Sequence, residues 1–449
     1  MRIAYFSPFP PQKSGISDYS EYLIEALSSY AEVDLWVEGF NLSNDKIKNK
    51  YKIYDYVNHP EYLTHLNKYD EIVYNIGNNP YYHSHIYDVF LKYNGVVILH
   101  EYVLYYLITG YYLDLLHNSD LYLDEMKMNH GDPGYVEGLK ILRGSLPPLQ
   151  YKFPEKFPLN KRLIDHAQGV IVHSEYARQE VIRINPNASC HVIPQIGPNP
   201  DNIDVSYHRR QELMRKYNLS EKDKVIASFG YVSPSKRIHQ VIEALSKLKN
   251  NNYKYLLVGE GDYVKDLVKK YKLQDKVIFT GFTTIEEFDE LIALSDIVVN
   301  LRYPYMGETS ASLIRALLLG KISLVSDIGW FRELPNECVI KIPLDENEVS
   351  NIRFHLERLL DNEELYINYT KQILQYSETE LNPQKIAKSI INVLKNIKTL
   401  KSKDSFFNKI CDETAYSLDN LGLDSNSFYI KNVSEVIESI LNIEGKNKV

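Results

Sequence analysis

The stretch IVVNLRYPYMGETSASLIRALLLG, residues 297–320, contains the unit that decides the fold. Its first four residues form a short apolar run that predicts a buried strand, and Leu313, Leu317 and Leu318 recur at the spacing of one helix face. A loop that contains proline and glycine joins the two. A continuous apolar strand followed by a helix is the repeating unit of a parallel sheet covered on both faces.

The same unit recurs in two series along the chain. The first series of predicted strands comprises Ile3–Phe6, Val33–Val37, Ile72–Ile76, Val96–Leu99, Val170–Val172 and His191–Ile193. The second comprises Val225–Gly230, Tyr255–Gly259, Val277–Thr280, Ile297–Asn300, Ile322–Ser326 and Val339–Ile342. Such doubly wound sheets bind ligands at the carboxyl ends of their strands. We therefore predict an α/β fold of two Rossmann-like domains that face each other across a cleft, with a helical C-terminal extension.

Three domain regions follow from these series. Pro194–Val205 is rich in proline and asparagine, which predicts an interdomain linker. We place one Rossmann-like domain at 1–198, a second at 199–398, and an extension at 399–449 whose structure the pattern does not define. Residues 101–162 interrupt the first series and predict a helical, aromatic insertion.

The composition narrows the class of protein. Hydrophobic residues make up 44% of the chain and charged residues 24%, as in globular proteins, and the net charge of −8 argues against a nucleic-acid partner. Three widely separated cysteines argue against a disulfide framework or a zinc site. Because no apolar run suits a signal peptide or a membrane span, we expect a cytoplasmic protein. An apolar stripe at 386–397 leaves contact with the inner membrane face open, although a packing helix is the preferred interpretation.

Two loops after predicted strands suit an anion. In the first, Gly15 would let backbone N–H groups approach a ligand at a helix N-terminus. In the second, Lys236 and Arg237 stand where a strand gives way to a helix. A lysine there suits a diphosphate as a point charge, and an arginine could bind it with two hydrogen bonds. The alternative for the first loop is an ordinary strand-to-helix turn. The alternative for the second loop is that Lys236 and Arg237 are a solvated basic pair at a helix start.

Further candidate side chains follow other strands. The loop after 297–300 carries Arg302 and Glu308, and a helix that began at Glu308 would place Glu308 and Arg315 on one face. The alternatives are a carboxylate that stabilises the helix N-terminus and a salt bridge between the two residues. His100 ends a buried strand, where it would point toward a ligand or serve as a structural histidine. His173 has a similar position and ranks lower.

Taken in order over nearly all of residues 1–398, these segments resemble the family-four retaining glycosyltransferases of the B-type, two-Rossmann fold. The matching motifs are Ser14–Ser17, Leu99–His100, Gly169–Glu175, Gly230–Arg237, Gly259–Gly261 and Gly281–Phe282. The chain departs from the family pattern twice, since Tyr231 replaces an arginine and Arg315 replaces the second carboxylate of a Glu-x7-Glu motif. The Gly-Glu-Thr-Ser form and Ser326–Phe331 resemble a subgroup of bacterial surface-polysaccharide enzymes.

The resemblance implies retaining transfer of a sugar from a nucleotide diphosphate sugar to a saccharide, lipid-linked saccharide or protein acceptor. The first domain would lie on the acceptor side, and the second would bind the donor. Catalytic roles fall to Glu308, His100 and Lys236. The expected donor-binding residues are Gly15, Arg237, Arg302, Gly307, Thr309, Ser310 and Arg315.

No cofactor is expected. No Asp-x-Asp motif follows a predicted strand, so we also expect no metal ion. A non-catalytic glycosyltransferase-like subunit is the alternative function, because Tyr231 and Arg315 depart from the family pattern. A nucleotide-sugar epimerase is less favoured, because it would normally need more catalytic carboxylates.

Overall fold

A computed structural model describes residues 1–249 and 252–399 of the chain. Its strands form two parallel sheets, and every pairing within them is parallel. The strands of the first sheet are β1 (Arg2–Phe6), β2 (Glu32–Val37), β3 (Ile53–Asp55), β4 (Glu71–Ile76), β5 (Val96–Leu99), β6 (Gly169–Val172) and β7 (Cys190–Val192). Those of the second are β8 (Lys224–Phe229), β9 (Tyr253–Val258), β10 (Val277–Gly281), β11 (Ile297–Asn300), β12 (Ile322–Ser326) and β13 (Val339–Ile342).

The strand orders are those of two doubly wound sheets. The first sheet runs β3-β2-β1-β4-β5-β6-β7, and the second runs β10-β9-β8-β11-β12-β13. Each order reverses next to the first strand of its sheet, and ligands bind at such reversals. The predicted fold class is therefore confirmed. The predicted domain boundary at 198 falls between β7 and β8.

Helices separate the strands almost throughout. They are α1 (Gly15–Leu27), α2 (Asp45–Lys50), α3 (Pro80–Lys92), α4 (Tyr105–Gly110), α5 (Ser119–Arg143), α6 (Lys161–His166), α7 (Glu175–Ile184), α8 (Tyr207–Lys216), α9 (Ile238–Leu245), α10 (Lys265–Lys270), α11 (Ile285–Leu294), α12 (Ala311–Leu318), α13 (Gly329–Glu333), α14 (Glu348–Leu360) and α15 (Glu363–Glu380). Residues 383–399 are also helical.

Local sequence explains where several of these helices begin. The hydroxyl of Ser174 accepts a hydrogen bond from the backbone N–H of Ala177, and Thr284 caps α11 in the same way. Such caps satisfy backbone donors that have no partner within the helix. The apolar strands lie between the helical layers, and each sheet contributes to its own hydrophobic core.

The insertion between β5 and β6 packs through its aromatic residues. It contains α4, a π-helical turn at Tyr111–Leu115, α5 and α6. Tyr105 and Tyr122 are fully buried there. Helix α5 bends at Gly131, whose φ of 66° lies in the left-handed region that favours glycine.

Residues 1–393 form one compact unit in which the two sheets contact each other. The backbone N–H of Val103 donates to the carbonyl of Met306 at 3.0 Å. Across the same junction, the Glu333 carboxylate accepts hydrogen bonds from the backbone N–H groups of Glu175 and Tyr176 at 2.8 and 2.6 Å. These bonds hold loops at the carboxyl ends of both sheets against each other and so join the two domains across the predicted cleft.

The chain after α15 bears on two predictions. Ile386 and Ile390, from the apolar stripe, are buried, as expected for a packing helix. Within the described ranges, no helix is long and apolar enough to cross a membrane. The predicted extension at 399–449 lies outside the described residues except for residue 399.

Candidate functional site

A cavity of about 180 Å³ lies between the strand ends of the two sheets. The start of α1 forms one wall, and the loops after β4, β5 and β7 together with the loop before α12 form the others. Four predicted site residues meet there: Gly15, His100, Glu308 and Thr309. Residues that sequence reasoning did not select also line the cavity, and they are Ser14, Ile16, Asn78, Asn79, His83, Glu101, Gln195 and Ala311.

Glu308 lies in the loop before α12 and not on the helix. Helix α12 begins at Ala311 with Ser310 as its N-cap, so the predicted shared helix face of Glu308 and Arg315 is wrong. The Glu308 Oε2 atom accepts a hydrogen bond from the backbone N–H of Met306 at 2.8 Å, and Oε1 lies 3.4 Å from Arg302 Nε. Two donors therefore fix the carboxylate at the cavity wall.

His100 is a buried, neutral side chain at the end of β5. Its Nε2 atom lies 3.1 Å from Asn75 Oδ1, and its ring packs edge-on against Tyr19. Burial is the main cause that lowers the pKa of His100, with smaller effects of His173 and His83. Burial also lowers the pKa of His83 to about 4. The imidazoles at this wall are therefore uncharged at neutral pH.

Glu101 brings a second carboxyl group to the same cavity. Burial, followed by the charge of Glu308, raises the pKa of Glu101 to about 8. At neutral pH the side chain is therefore largely protonated and can donate a hydrogen bond. This largely protonated carboxyl group therefore lies in the same small cavity as the side chain of Glu308, and perturbed carboxyl groups of this kind cluster at functional sites.

Lys236 supplies a buried amine that has no acidic partner among the described residues. Its Nζ atom donates to the carbonyl of Phe229, and among the described residues no carboxylate lies within ion-pair distance of it. Burial and the nearby Arg302 charge lower the pKa of Lys236. The ammonium group packs against Gly230, whose φ of 85° favours glycine and leaves room for the lysine side chain. Such a site would be stabilised by an anion.

Gly15 leaves the start of α1 open to that anion. It is the first residue of a 13-residue helix, and Ser14 caps the helix through the backbone N–H of Ile16. A Cβ atom added at Gly15 would meet nothing within 4 Å, so packing does not require glycine here. The free space in front of Gly15 is therefore available to a ligand that approaches the helix N-terminus.

A larger cavity, of about 710 Å³, extends from Gly15 along the cleft. The 10–15 loop and Asp18 bound it on one side, and the loops after β8, β9 and β10 bound it on the other. Tyr231 and Phe282 line it with exposed aromatic rings. The Lys13 Nζ atom lies 4.4 Å from the Phe282 ring centre and so spans the cleft.

A third cavity, of about 630 Å³, opens on the insertion side of Gly307. Its walls come from the insertion, from α7 and from the loop before α12. The aromatic residues Tyr102, Tyr176 and Tyr305 line it, and Tyr176 meets Tyr305 edge-on at 5.1 Å. Two of its cations are already paired, Arg183 with Glu180 and Lys161 with Asp165. The cavity therefore presents aromatic rings and polar groups with little unpaired positive charge.

Arg237 lies at the strand-to-helix junction where it was predicted, but its side chain is already paired within the protein. Its φ of 56° is left-handed, and its guanidinium forms a two-fold ion pair with the buried Glu348 at the start of α14. That pairing raises the pKa of Arg237 and leaves its charge already neutralised. The predicted donor contact is therefore corrected, and Arg237 joins α14 to the β8–α9 loop.

Arg315 is also occupied by protein groups. It is buried, with Nη1 3.0 Å from both carboxylate oxygens of Asp289 and Nη2 3.3 Å from Asp18 Oδ2. It also donates to the Tyr22 hydroxyl. Arg315 lines none of the three cavities and its guanidinium is already paired with Asp289 and Asp18, so the structure does not place it in direct contact with a donor as predicted.

The three other predicted donor residues, Gly307, Thr309 and Ser310, do not all face the same cavity. The Ser310 hydroxyl is buried and is used to cap α12 and to bind Asn300 Nδ2 at 3.1 Å, so it does not face a cavity. Thr309 lines the small cavity and donates its hydroxyl hydrogen to Gln195. Gly307, at a φ of 82°, packs tightly against Tyr102 and lines the third cavity.

Sequence signals existed for several residues that were missed. Glu101 directly follows His100, Asn78 follows β4, and Gln195 follows β7. All three lie at the carboxyl ends of parallel strands, where ligands bind. Within residues 1–249 and 252–399 there is no group of three His, Cys, Asp or Glu side chains placed to hold a metal ion.

Comparison with known proteins identifies the second half of the chain. Residues 209–376 match the family model described as glycosyl transferases group 1. The chain contains a group 1 glycosyl transferase domain. The predicted resemblance is thereby confirmed. This domain supplies Lys236, Arg302, Glu308 and Thr309, whereas Gly15 and His100 come from the part of the chain before it.

Two curated relatives and one solved structure are similar to this chain. An uncharacterized glycosyltransferase of Methanocaldococcus jannaschii is 27% identical over 237 residues, which are 50% of this chain and 59% of the relative. The alpha-D-kanosaminyltransferase of Streptomyces kanamyceticus is 23% identical over 46% of this chain and 54% of its own length. The chain thus spans little more than half the length of these curated relatives.

The solved structure is that of HepE from Anabaena in complex with UDP and glucose. It superposes with a TM-score of 0.60 at 16% identity, over 88% of this chain and 100% of HepE. At that identity the likeness shows a shared fold of two facing α/β domains.

Proposed function

We propose that this chain transfers a sugar from a nucleotide diphosphate sugar to an acceptor hydroxyl with retention of anomeric configuration. The observation that carries the proposal is the Lys236 side chain, which has no acidic partner among the described residues and packs against Gly230 on the wall of the 710 Å³ cavity. Gly15 lines both this cavity and the small cavity that contains the fixed carboxylate of Glu308. A cation and a helix N-terminus suit a diphosphate, and the carboxylate suits sugar hydroxyls.

Stabilisation of the leaving group is the main source of catalysis in this proposal. As the bond between the sugar C1 atom and the diphosphate oxygen breaks, negative charge grows on the departing diphosphate. Lys236 and the backbone N–H groups at the start of α1 are already in place for that charge, so little reorganisation is needed. Retention follows when the acceptor oxygen bonds to C1 on the face that the diphosphate leaves, and the acceptor hydroxyl gives its proton to the departing diphosphate oxygen.

The small cavity would hold the sugar. Glu308 accepts hydrogen bonds from sugar hydroxyls, and its negative charge stabilises the positive charge that develops on the ring. The neutral His100 contacts the sugar, and the protonated Glu101 donates a hydrogen bond to a sugar hydroxyl or a phosphate oxygen. No residue in this scheme needs a metal ion, and we propose that the reaction is independent of divalent cations.

The third cavity is our proposed acceptor site. Its tyrosine rings can pack against the apolar faces of a sugar, and its polar groups can bind hydroxyls. We propose a saccharide acceptor, free or at the end of a lipid carrier, and a role in surface-glycan synthesis. Because the HepE structure contains UDP, uridine diphosphate sugars are the first donors to test.

The proposal is tested by turnover of the purified full chain. We would incubate it with UDP-, GDP- and ADP-sugars and short saccharide acceptors and measure released nucleoside diphosphate. Release by the wild type that is lost in Glu308→Gln supports the proposal. Binding of a nucleotide sugar without any release would favour a non-catalytic glycosyltransferase-like subunit, and release of an epimerised free sugar would favour an epimerase.

A further inference from the structure

One carboxylate on the wall of the 710 Å³ cavity has no role in the proposed transfer reaction. Asp18 lies in the first turn of α1, and 28% of its side chain is exposed at the cavity wall. Its Oδ2 atom faces Arg315, whereas its Oδ1 atom has no hydrogen-bond partner among the residues that the structure describes. Asp18 thus offers the cavity a free acceptor atom.

Arg315 holds this carboxylate in place from behind. The guanidinium bridges Asp18 of the first sheet's helix and Asp289 of α11 in the second domain, and Tyr22 packs beside it. Because Arg315 is buried while Asp18 is partly exposed, the ion pair points the carboxylate outward into the cavity. A fixed carboxylate loses less side-chain entropy when a ligand binds than a mobile one would.

Asp18 follows Gly15 by three residues in the first turn of α1, and both residues line the 710 Å³ cavity. Gly15 lies at the junction of the small and large cavities, where the proposed function places the diphosphate. Three residues along the helix correspond to a rise of about 4.5 Å, close to the step from a phosphate to the next group of a nucleotide. Phe282 and Phe288 line the same cavity as Asp18, and their rings suit a base.

Ribose is the part of the nucleotide that a carboxylate recognises best. It carries two neighbouring hydroxyl donors, and hydrogen bonds to a charged acceptor are stronger than those between neutral groups. We infer that Asp18, positioned by Arg315, binds the ribose hydroxyls of the donor nucleotide and selects ribonucleotides over deoxyribonucleotides. The inference rests on the proposed function, which supplies the nucleotide.

The test compares ribonucleotides with their deoxy analogues. The tightest of UDP, GDP and ADP is found by calorimetry with the full chain, and its 2′-deoxy and 3′-deoxy forms are then measured. We expect at least one deoxy form to bind about tenfold more weakly to the wild type, and Asp18→Ala to bind all forms with nearly equal affinity. The Asp18→Ala chain keeps the Arg315–Asp289 pair, so it should fold.

Asp289→Asn is the matched control, because Asp289 contacts Arg315 but does not line the cavity. It should keep the preference for the ribonucleotide. Equal binding of ribo and deoxy forms by the wild type would overturn the inference, as would a preference that survives in Asp18→Ala or disappears equally in Asp289→Asn. Failure of all three nucleoside diphosphates to bind would instead overturn the proposed function, and the inference with it.

Discussion

The Glu308 carboxylate lies 2.8 Å from the backbone N–H of Met306, two residues earlier in the same loop. This bond, with the contact to Arg302, turns the side chain back toward its own loop and holds it at the cavity wall. The orientation does not depend on a helix. Glu308 is therefore preorganised for a ligand in the cavity, as catalysis by electrostatic stabilisation requires.

Glu308→Gln should reduce turnover far more than it weakens nucleotide binding. The amide keeps the size of the side chain but loses the negative charge that would stabilise a cationic sugar. We expect kcat to fall by about a hundredfold or more, equivalent to about 3 kcal/mol, while the Kd for the free nucleoside diphosphate changes little. Initial rates and calorimetry on the same preparations check this, and an equal loss in both would remove Glu308 from the sugar site.

Lys236→Ala should cost about 2–4 kcal/mol of transition-state stabilisation, because it removes the unpaired cation at the proposed diphosphate site. The measurement is kcat/KM at saturating acceptor, together with the Kd for the nucleoside diphosphate. Lys254→Ala is a matched control, since Lys254 also donates to a backbone carbonyl but is exposed outside the cleft. Normal turnover in a folded Lys236→Ala chain would contradict the assignment.

The rate should fall as pH rises through the pKa of Glu101, about 8. Below that pH the carboxyl group is protonated and can donate a hydrogen bond. Above it, a second negative charge appears beside Glu308 and repels the anionic donor. The check is a pH profile of kcat/KM for the wild type and Glu101→Gln. The amide cannot ionise, so the alkaline decline should disappear in the variant, and an unchanged decline would assign it to another group.

Arg237→Ala should destabilise the fold and leave nucleotide binding nearly unchanged. The substitution would leave the Glu348 carboxylate, which is 2% exposed, buried without its partner. Breaking such a buried ion pair lowers the free energy of unfolding by about 3–5 kcal/mol. Arg332→Ala breaks an exposed pair with Asp327 and should cost about 0–1 kcal/mol. Urea unfolding measures both. A stable Arg237→Ala chain with weakened nucleotide binding would restore the role that the sequence analysis gave to Arg237.

Most of the framework was predictable from the sequence because it depends on local pattern. The apolar run Val96–Leu99 was predicted with the bounds that the structure shows. Strand β3 was missed, since its three residues include only one aliphatic side chain. The start of α12 was misplaced although Ser310 is a typical N-cap residue, so capping preference could have located it.

The partners of charged side chains were the part that the sequence could not supply. Arg237 pairs with a residue 111 positions away, and Arg315 reaches Asp18, 297 positions away. Neither distance leaves a periodic signal in the chain. Motif position alone therefore assigned both arginines to the donor. The packing of the two sheets brings these distant residues together. As a result, Arg237 pairs with Glu348 at the start of α14, and Arg315 contacts the carboxylate of Asp18.

The central claim is metal-independent, retaining transfer from a nucleotide diphosphate sugar, and NMR tests it most directly. The purified full chain would be mixed with the donor, an acceptor and excess EDTA, and followed by phosphorus and proton spectra. The account predicts growth of the nucleoside diphosphate signal together with a product that keeps the anomeric configuration of the donor. Inversion at the anomeric carbon, or turnover that appears only after manganese or magnesium is restored, would contradict it.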